Sequence, residues 1–345
     1  MTTGDAGTDG RTEGARADGV DGAAAPRRDD GQRHDTGHSG ALGRLVAVLR
    51  SPWVRWGFLV LAIGLAVYAV VAARDELAQV AAQLSAGRLA LALVLAVVFV
   101  GCTFGAWRAV LADLGSPVPR RVALSIFGLS QLGKYVPGGV WNVVAAAEIG
   151  ADHGIPRRRS VTTTAVATLV GVVSGAVVGL VALPFVATEE LGPAARWLWI
   201  LPAVVVVLLP PVLNRLVAWA LRLARREPLE HPLSWRGLGA ASAWSVAGWL
   251  CAGAQVWVLA VGLGMPADAR GAALAVGGYA LAWVVGFLVI VMPAGAGARE
   301  LVLLAVLAGA LPHAAVLLVV LVSRVLVTIA DLLLAALGAW ARRTS

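Results

Sequence analysis

Lysine is almost missing from this chain. Of 28 lysines and arginines among 345 residues, only Lys134 is a lysine, so one compact ammonium stands among guanidinium groups. Charge of any kind is scarce. Charged residues make up 14% and hydrophobic ones 59%, which excludes a soluble globule of this length and marks an integral membrane protein. The two cysteines, Cys102 and Cys251, lie in apolar segments far apart in sequence, so neither a disulfide framework nor a thiolate metal site is expected and both read as packing residues. The histidines have no second ligand at metal spacing, and no phosphate loop, nucleophile elbow or dinucleotide fingerprint is present. No catalytic residue, metal or cofactor is therefore expected, and the chain does not read as an enzyme. The net charge of +8 comes mainly from arginines at the ends of apolar segments, which is a topology signal rather than a nucleic-acid patch.

Residues 1–43 hold almost no large apolar side chains and read as a disordered tail with no removable leader. Residues 44–345 form the transmembrane domain. Six segments are long enough to cross a hydrocarbon core of roughly 30 Å, near 55–73, 89–112, 160–187, 195–217, 237–263 and 313–339. Arg44, Arg50 and Arg55 put the N-terminus in the cytoplasm, and the clusters at Arg120–Arg121, Arg157–Arg159, Arg215–Arg226 and Arg342–Arg343 fall on the same side. Both termini are then cytoplasmic.

Two further apolar stretches, 121–150 and 271–311, are interrupted by proline and glycine near their middles. Non-helical backbone survives at membrane depth only inside protein or beside a water-filled cavity. The first stretch reads as a re-entrant hairpin. The second reads the same way, with the alternative that its first arm crosses fully and a short helix returns. The expected fold is an all-α polytopic membrane protein with six full spans and two re-entrant hairpins. Its halves, about 55–190 and 191–340, share one plan with opposite orientation. This inverted repeat shows in hydropathy and in the breaks, not residue for residue, and such a pattern points to a midplane transport site.

Lys134 follows Ser130 and Gln131 and precedes the break at Pro137, Gly138 and Gly139. The helix start beyond that break favours an anion, and a lysine beside it points to phosphate or carboxylate. Alternatively, Lys134 snorkels to the interface and the glycines only turn the chain. Trp141 and Glu148 share a face of the returning arm. Glu148 either pairs with a buried base or sits hydrated at the interface. At the second break, Arg299 and Glu300 open a helix. Glu300 suits its dipole, whereas Arg299 opposes it and needs another reason, such as a bound anion; alternatively the two are an exposed loop pair of little energetic weight. Arg324, Thr328 and Asp331 form a polar stripe on the last span, read either as a structural ion pair or as the wall of a site. Gly101 with Gly105, and Gly171, Gly175 and Gly179, repeat at four-residue spacing and read as close helix contacts.

The run Lys134 to Trp141, the run Pro293 to Glu300, and Arg324 with Asp331 resemble the lysylphosphatidylglycerol synthase transmembrane region, a flippase-like membrane family; Ala294 stands where that family often has glycine. The resemblance implies a bacterial plasma-membrane protein that moves or accommodates an anionic phospholipid or a polyprenyl-phosphate-linked glycolipid between leaflets. It implies phosphate binding by Lys134 and Arg299, with Glu148 and Glu300 as counter-charges. Lysine transfer, the task of the soluble aminoacyl-transferase domain in the synthase members, is not expected of this chain. A different class of function is a non-transporting scaffold for a glycosyltransferase or an envelope-assembly partner, and self-association into a homo-oligomer fits either reading.

Overall fold

Apolar composition and two serine caps set the frame. The computed structural model describes residues 79–80, 82–136, 140–186, 201–223, 231–288 and 297–343; the tail, the expected span at 55–73 and both break centres lie outside them. Helix α1 (Ala86–Asp113) begins where the Ser85 hydroxyl accepts from the Arg88 N–H, closing an otherwise unpaired first turn. It is followed by α2 (Arg120–Gln131), a 3-10 turn (Leu132–Tyr135), α3 (Trp141–Ala151), α4 (Arg157–Val186), α5 (Leu201–Val206), α6 (Pro210–Leu223), α7 (Trp235–Gly262), α8 (Ala269–Leu288), α9 (Ala298–Leu307) and α10 (His313–Arg343). No strand occurs among the described residues.

Helices α1, α4, α7, α8 and α10 are long and apolar enough to cross a membrane. The segment expected as one span at 195–217 differs: α5 ends before residues 207–209, and α6 restarts at Pro210–Pro211. Proline lacks the N–H and disfavours helical backbone in the residue before it, so the chain breaks there and resumes with prolines in a first turn. The first interrupted stretch forms two short helices, α2 of 12 residues and α3 of 11, or about 18 and 16 Å of rise. Neither arm alone matches the hydrocarbon thickness. In the second stretch α8 has 20 residues, enough for the full-crossing alternative, and α9 is the short element after it.

The structure also uncovers a residue-level repeat. Both α1 and α7 have 28 residues, start after a serine cap at Ser85 and Ser234, and end in Leu-Gly, with Gly115 and Gly264 at positive φ. A shift of 149 residues superposes these features and also takes Cys102 to Cys251 and Gly128 to Gly277. Beyond the breaks the shift becomes 156, taking Pro137 to Pro293, Arg157 to His313 and Ala182 to Gly338.

Packing follows the same exchange. Helices α1 and α7 run antiparallel, with Gly237 against Asp113 near one end and Gly262 against Arg88 near the other; these two contacts map onto each other under the 149-residue shift. Helix α2 lies along α10, and α8 lies along α4. At the first crossing a Cβ on Gly128 would come within 2.6 Å of the Leu334 carbonyl oxygen. At its counterpart a Cβ on Gly277 would come within 2.2 Å of the Ala182 Cβ. The arrangement is a pseudo-twofold, and Cys102 and Cys251, equivalent by sequence shift, meet beside its axis within hydrogen-bonding reach. Both are free thiols. Of the spaced glycines, Gly105 packs on Trp244, Gly175 on Trp249 and Gly179 on Leu281, while Gly101 and Gly171 have no neighbour a Cβ would meet.

This pairing is directly testable. Treating the purified protein with copper-phenanthroline should give one intramolecular disulfide, a mass loss of two hydrogens, and Cys251→Ser should abolish it. Adducts between chains only, or none, would contradict the antiparallel register of α1 and α7.

Candidate functional site

The polar residues that hydrophobic helices can least accommodate gather around the middle of α10. That helix spans 31 residues, and Thr328 lies midway along it. Asp331, one turn onward, is 1% exposed. Its Oδ2 accepts from the Lys134 ammonium at 2.7 Å and from the Tyr135 hydroxyl at 2.6 Å. Both donors come from the 3-10 turn that ends the first arm. Gly133 makes that turn possible, because a Cβ there would lie 2.5 Å from the Asn142 backbone nitrogen at the start of α3. The other carboxylate oxygen, Oδ1, is buried with no hydrogen-bond partner among the described residues.

The second broken segment reaches the same group. Gly297, at positive φ, opens α9, and its N–H donates to the Glu300 carboxylate at 2.6 Å. The same carboxylate binds the Arg324 guanidinium. Arg299 lies over the Tyr279 ring, 4.6 Å from its centroid, and donates to its hydroxyl. Tyr279 is held by Phe99, edge-on at 6.3 Å, and by Trp249 at 6.4 Å. At Gly286 the end of α8 approaches within 3.0 Å of the Arg299 Cβ, measured to a Cβ built on the glycine, so the side-chain-free position admits α9. Arg299 is close enough to both Lys134 and Arg324 to repel them electrostatically, and the Thr328 hydroxyl faces Tyr135.

Of the sequence-derived residues, Lys134, Arg299, Glu300, Arg324 and Asp331 are thus brought together. Arg324 and Asp331, read either as a structural ion pair or as the wall of a site, pair across elements and not with each other: Arg324 with Glu300, and Asp331 with Lys134. Seven residues is two helical turns, about 10 Å of rise, too far for direct contact. Glu148 does not join the group. It is exposed and forms a two-bond pair with Arg157, at 2.9 and 2.7 Å, which holds its carboxyl below the usual carboxylate range. It takes the interface role rather than that of a buried counter-charge. Trp141 is 48% exposed at the start of α3. Pro137, Gly138 and Gly139 lie outside the described residues.

Sequence reasoning missed Tyr135 and Tyr279 as partners. Their scarcity was the available signal, since two of only three tyrosines in the chain occur here. An apolar groove between α4 and α6, lined by Val161, Leu169 and Trp219 among others, is a separate feature without charged lining residues.

The charge count decides what the cluster can do. Lys134, Arg299 and Arg324 carry three positive charges, whereas Glu300 and Asp331 carry two negative ones. Arg299 has no carboxylate partner among the described residues. Low-dielectric surroundings make an uncompensated charge costly, so a monoanion entering beside Arg299 would balance the group. The positions related by the repeat to Lys134, Arg324 and Asp331 are Trp283, Thr168 and Gly175. None is ionisable, and the pseudo-symmetric counterpart therefore lacks such a site.

A family model described as the lysylphosphatidylglycerol synthase TM region matches residues 57–335. No curated protein matches the chain.

Proposed function

The chain belongs to the lysylphosphatidylglycerol synthase transmembrane-region family, and from that premise we propose that it binds a phosphate-bearing anionic lipid and carries its head group between leaflets. The observation behind this reading is the single uncompensated positive charge of the Lys134, Arg299, Arg324, Glu300 and Asp331 group. A phosphodiester carries one negative charge and several acceptor oxygens, which suits one ammonium and one guanidinium donor. The group is built from both interrupted segments and the last span, and carriers with inverted repeats assemble their substrate sites from such segments.

In this reading the α2–α3 stretch is re-entrant, the two halves are inverted across a bacterial plasma membrane, and both termini face the cytoplasm. The chain acts as a carrier rather than an enzyme. Arg299, stacked on Tyr279, contributes a fixed planar donor set. Lys134, on a short turn, contributes a compact point charge. Polyprenyl-phosphate-linked sugars meet the same requirements as an anionic phospholipid.

Reconstitution of the full chain into liposomes carrying fluorescent phosphatidylglycerol tests this. The wild type should move labelled lipid between leaflets, and Lys134→Ala combined with Asp331→Asn, which removes both members of the pair, should slow it at least tenfold. An unchanged rate in the double variant would take Lys134 out of the mechanism. No movement in either protein would favour the scaffold reading.

A further inference from the structure

We propose that the Lys134–Asp331 contact is an exchangeable ion pair and that Asp331 is a proton site coupled to anion binding. A phosphate group takes Lys134 from Asp331, and the released carboxylate takes up one proton on Oδ1. This deepens the phosphate-binding reading and rests on it.

Three observations on the page lead here. The first is the lopsided bonding of Asp331. Lys134 and Tyr135 both donate to Oδ2, while Oδ1 is buried and unpartnered. An ionised carboxylate is an acceptor with two oxygens, and burying one without a donor is costly. A proton occupies that oxygen without displacing either existing contact. The second is the difference in access between the partners. Asp331 is 1% exposed whereas the Lys134 side chain is 34% exposed, so of the two partners the lysine is the one an arriving anion can approach. The third is that no second cation is ready to replace Lys134. On α10 itself Arg324 is committed to Glu300, and on α9 Arg299 is committed to the Tyr279 ring and hydroxyl. Tyr135 and Thr328 supply only neutral hydroxyls.

When Lys134 moves to phosphate, Asp331 is left as a buried carboxylate with one hydroxyl donor. Taking out one member of a buried pair leaves an uncompensated charge worth several kcal/mol, and protonation removes that charge. The balance is simple. One proton from water forms an O–H bond on Oδ1, the phosphate keeps its charge against Lys134, and nothing is oxidised or reduced. A bound monoanion plus one proton leaves the site at the net +1 it carries when empty, and a phosphate lying between Lys134 and Arg299 shares its charge between the two cations.

Because the bound state holds more protons, affinity rises as pH falls. The change reaches about tenfold per pH unit for one proton taken up, within the pH window over which uptake occurs. A phosphodiester lipid keeps one charge across that window, so the dependence belongs to the protein.

The test is isothermal titration of the full chain in detergent with short-chain phosphatidylglycerol, in two buffers of different ionisation heat, from pH 5 to pH 8. Wild type should take up a proton on binding, approaching one per lipid. Asp331→Asn should take up none, and its affinity should stay within about twofold across the range. A wild type that binds without proton uptake, or an Asp331→Asn variant that retains it, would overturn the proposal. Should that variant fail to fold, infrared difference spectra of the wild type decide: a protonated-carboxyl band must appear on binding, and its absence overturns the idea. Inorganic phosphate at fixed pH forms a parallel arm. Uptake with lipid alone assigns the ligand as a head group, uptake with phosphate as well assigns the free ion, and binding by neither removes the site. Proton uptake without translocation in liposomes would retain the exchange and reject lipid movement, so the two readings fail separately.

Discussion

Replacing Asp331 with alanine destabilises the folded protein by about 3 kcal/mol, and adding Lys134→Met recovers more than half of that loss. The reason is the asymmetry of a buried pair. Asp331 is fully enclosed and receives both Lys134 and Tyr135, so its removal strands an ammonium and a hydroxyl together. The cavity left by shortening one small side chain accounts for only about 1 kcal/mol, so the stranded charge dominates. The two explanations part company in the double variant. A cavity cost persists when Lys134 becomes methionine, whereas a stranded-charge cost disappears. Denaturant or thermal unfolding in detergent, followed by helical circular dichroism, gives the comparison. If the double variant is as unstable as the single one, the ion pair contributes little and the packing of α10 against the 3-10 turn explains the loss.

The second large effect lies at the other crossing. Gly277→Ala places a methyl group 2.2 Å from the Ala182 Cβ, well inside contact distance, and neither α4 nor α8 can yield locally because both are long helices packed along their length. Overpacking of this kind costs about 1–3 kcal/mol. The compensating exchange Ala182→Gly with Gly277→Ala keeps the number of methyl groups at the crossing and should return most of the stability. Without a hydrophobic driving force between helices in lipid, close approach through small residues carries much of their association. A fall in the unfolding midpoint for the single variant, largely reversed in the exchanged pair, is the expected measurement. Equal midpoints for the single variant and the wild type would mean that the crossing is loose enough to absorb a methyl group.

The spans were legible because crossing a bilayer demands long apolar runs, and α1, α4, α7 and α10 follow those runs to within a few residues. The breaks were legible because proline and glycine cannot continue a helix. Pairing was not. Arg324, Thr328 and Asp331 share one helix face, yet the partners of the two charges lie elsewhere in the chain: Glu300, 24 residues from Arg324, and Lys134 with Tyr135, 197 and 196 residues from Asp331. Spacing within a helix fixes a face and does not say what lies opposite it. Glu148 illustrates the same limit, since its seven-residue spacing from Trp141 was real but α3 ends beside Arg157.

The repeat was hidden for a different reason. Seven extra residues between the two breaks change the shift from 149 to 156, so no single offset aligns the halves from end to end. Only the packing of α2 on α10 and of α8 on α4 shows which residues correspond. Lys134, Arg324 and Asp331 break this correspondence, since their counterparts Trp283, Thr168 and Gly175 are not ionisable.

The meeting of Cys102 and Cys251 also speaks of origin. Two copies of a half-length chain inserted in opposite orientations would associate about the same axis, and a residue beside that axis would face its own copy. Gene duplication followed by fusion turns such an antiparallel homodimer into one polypeptide and frees each copy to diverge. In this protein the halves carry a matched pair of thiols beside the axis and differ away from it: one holds Lys134 and Asp331 where the other has tryptophan and glycine.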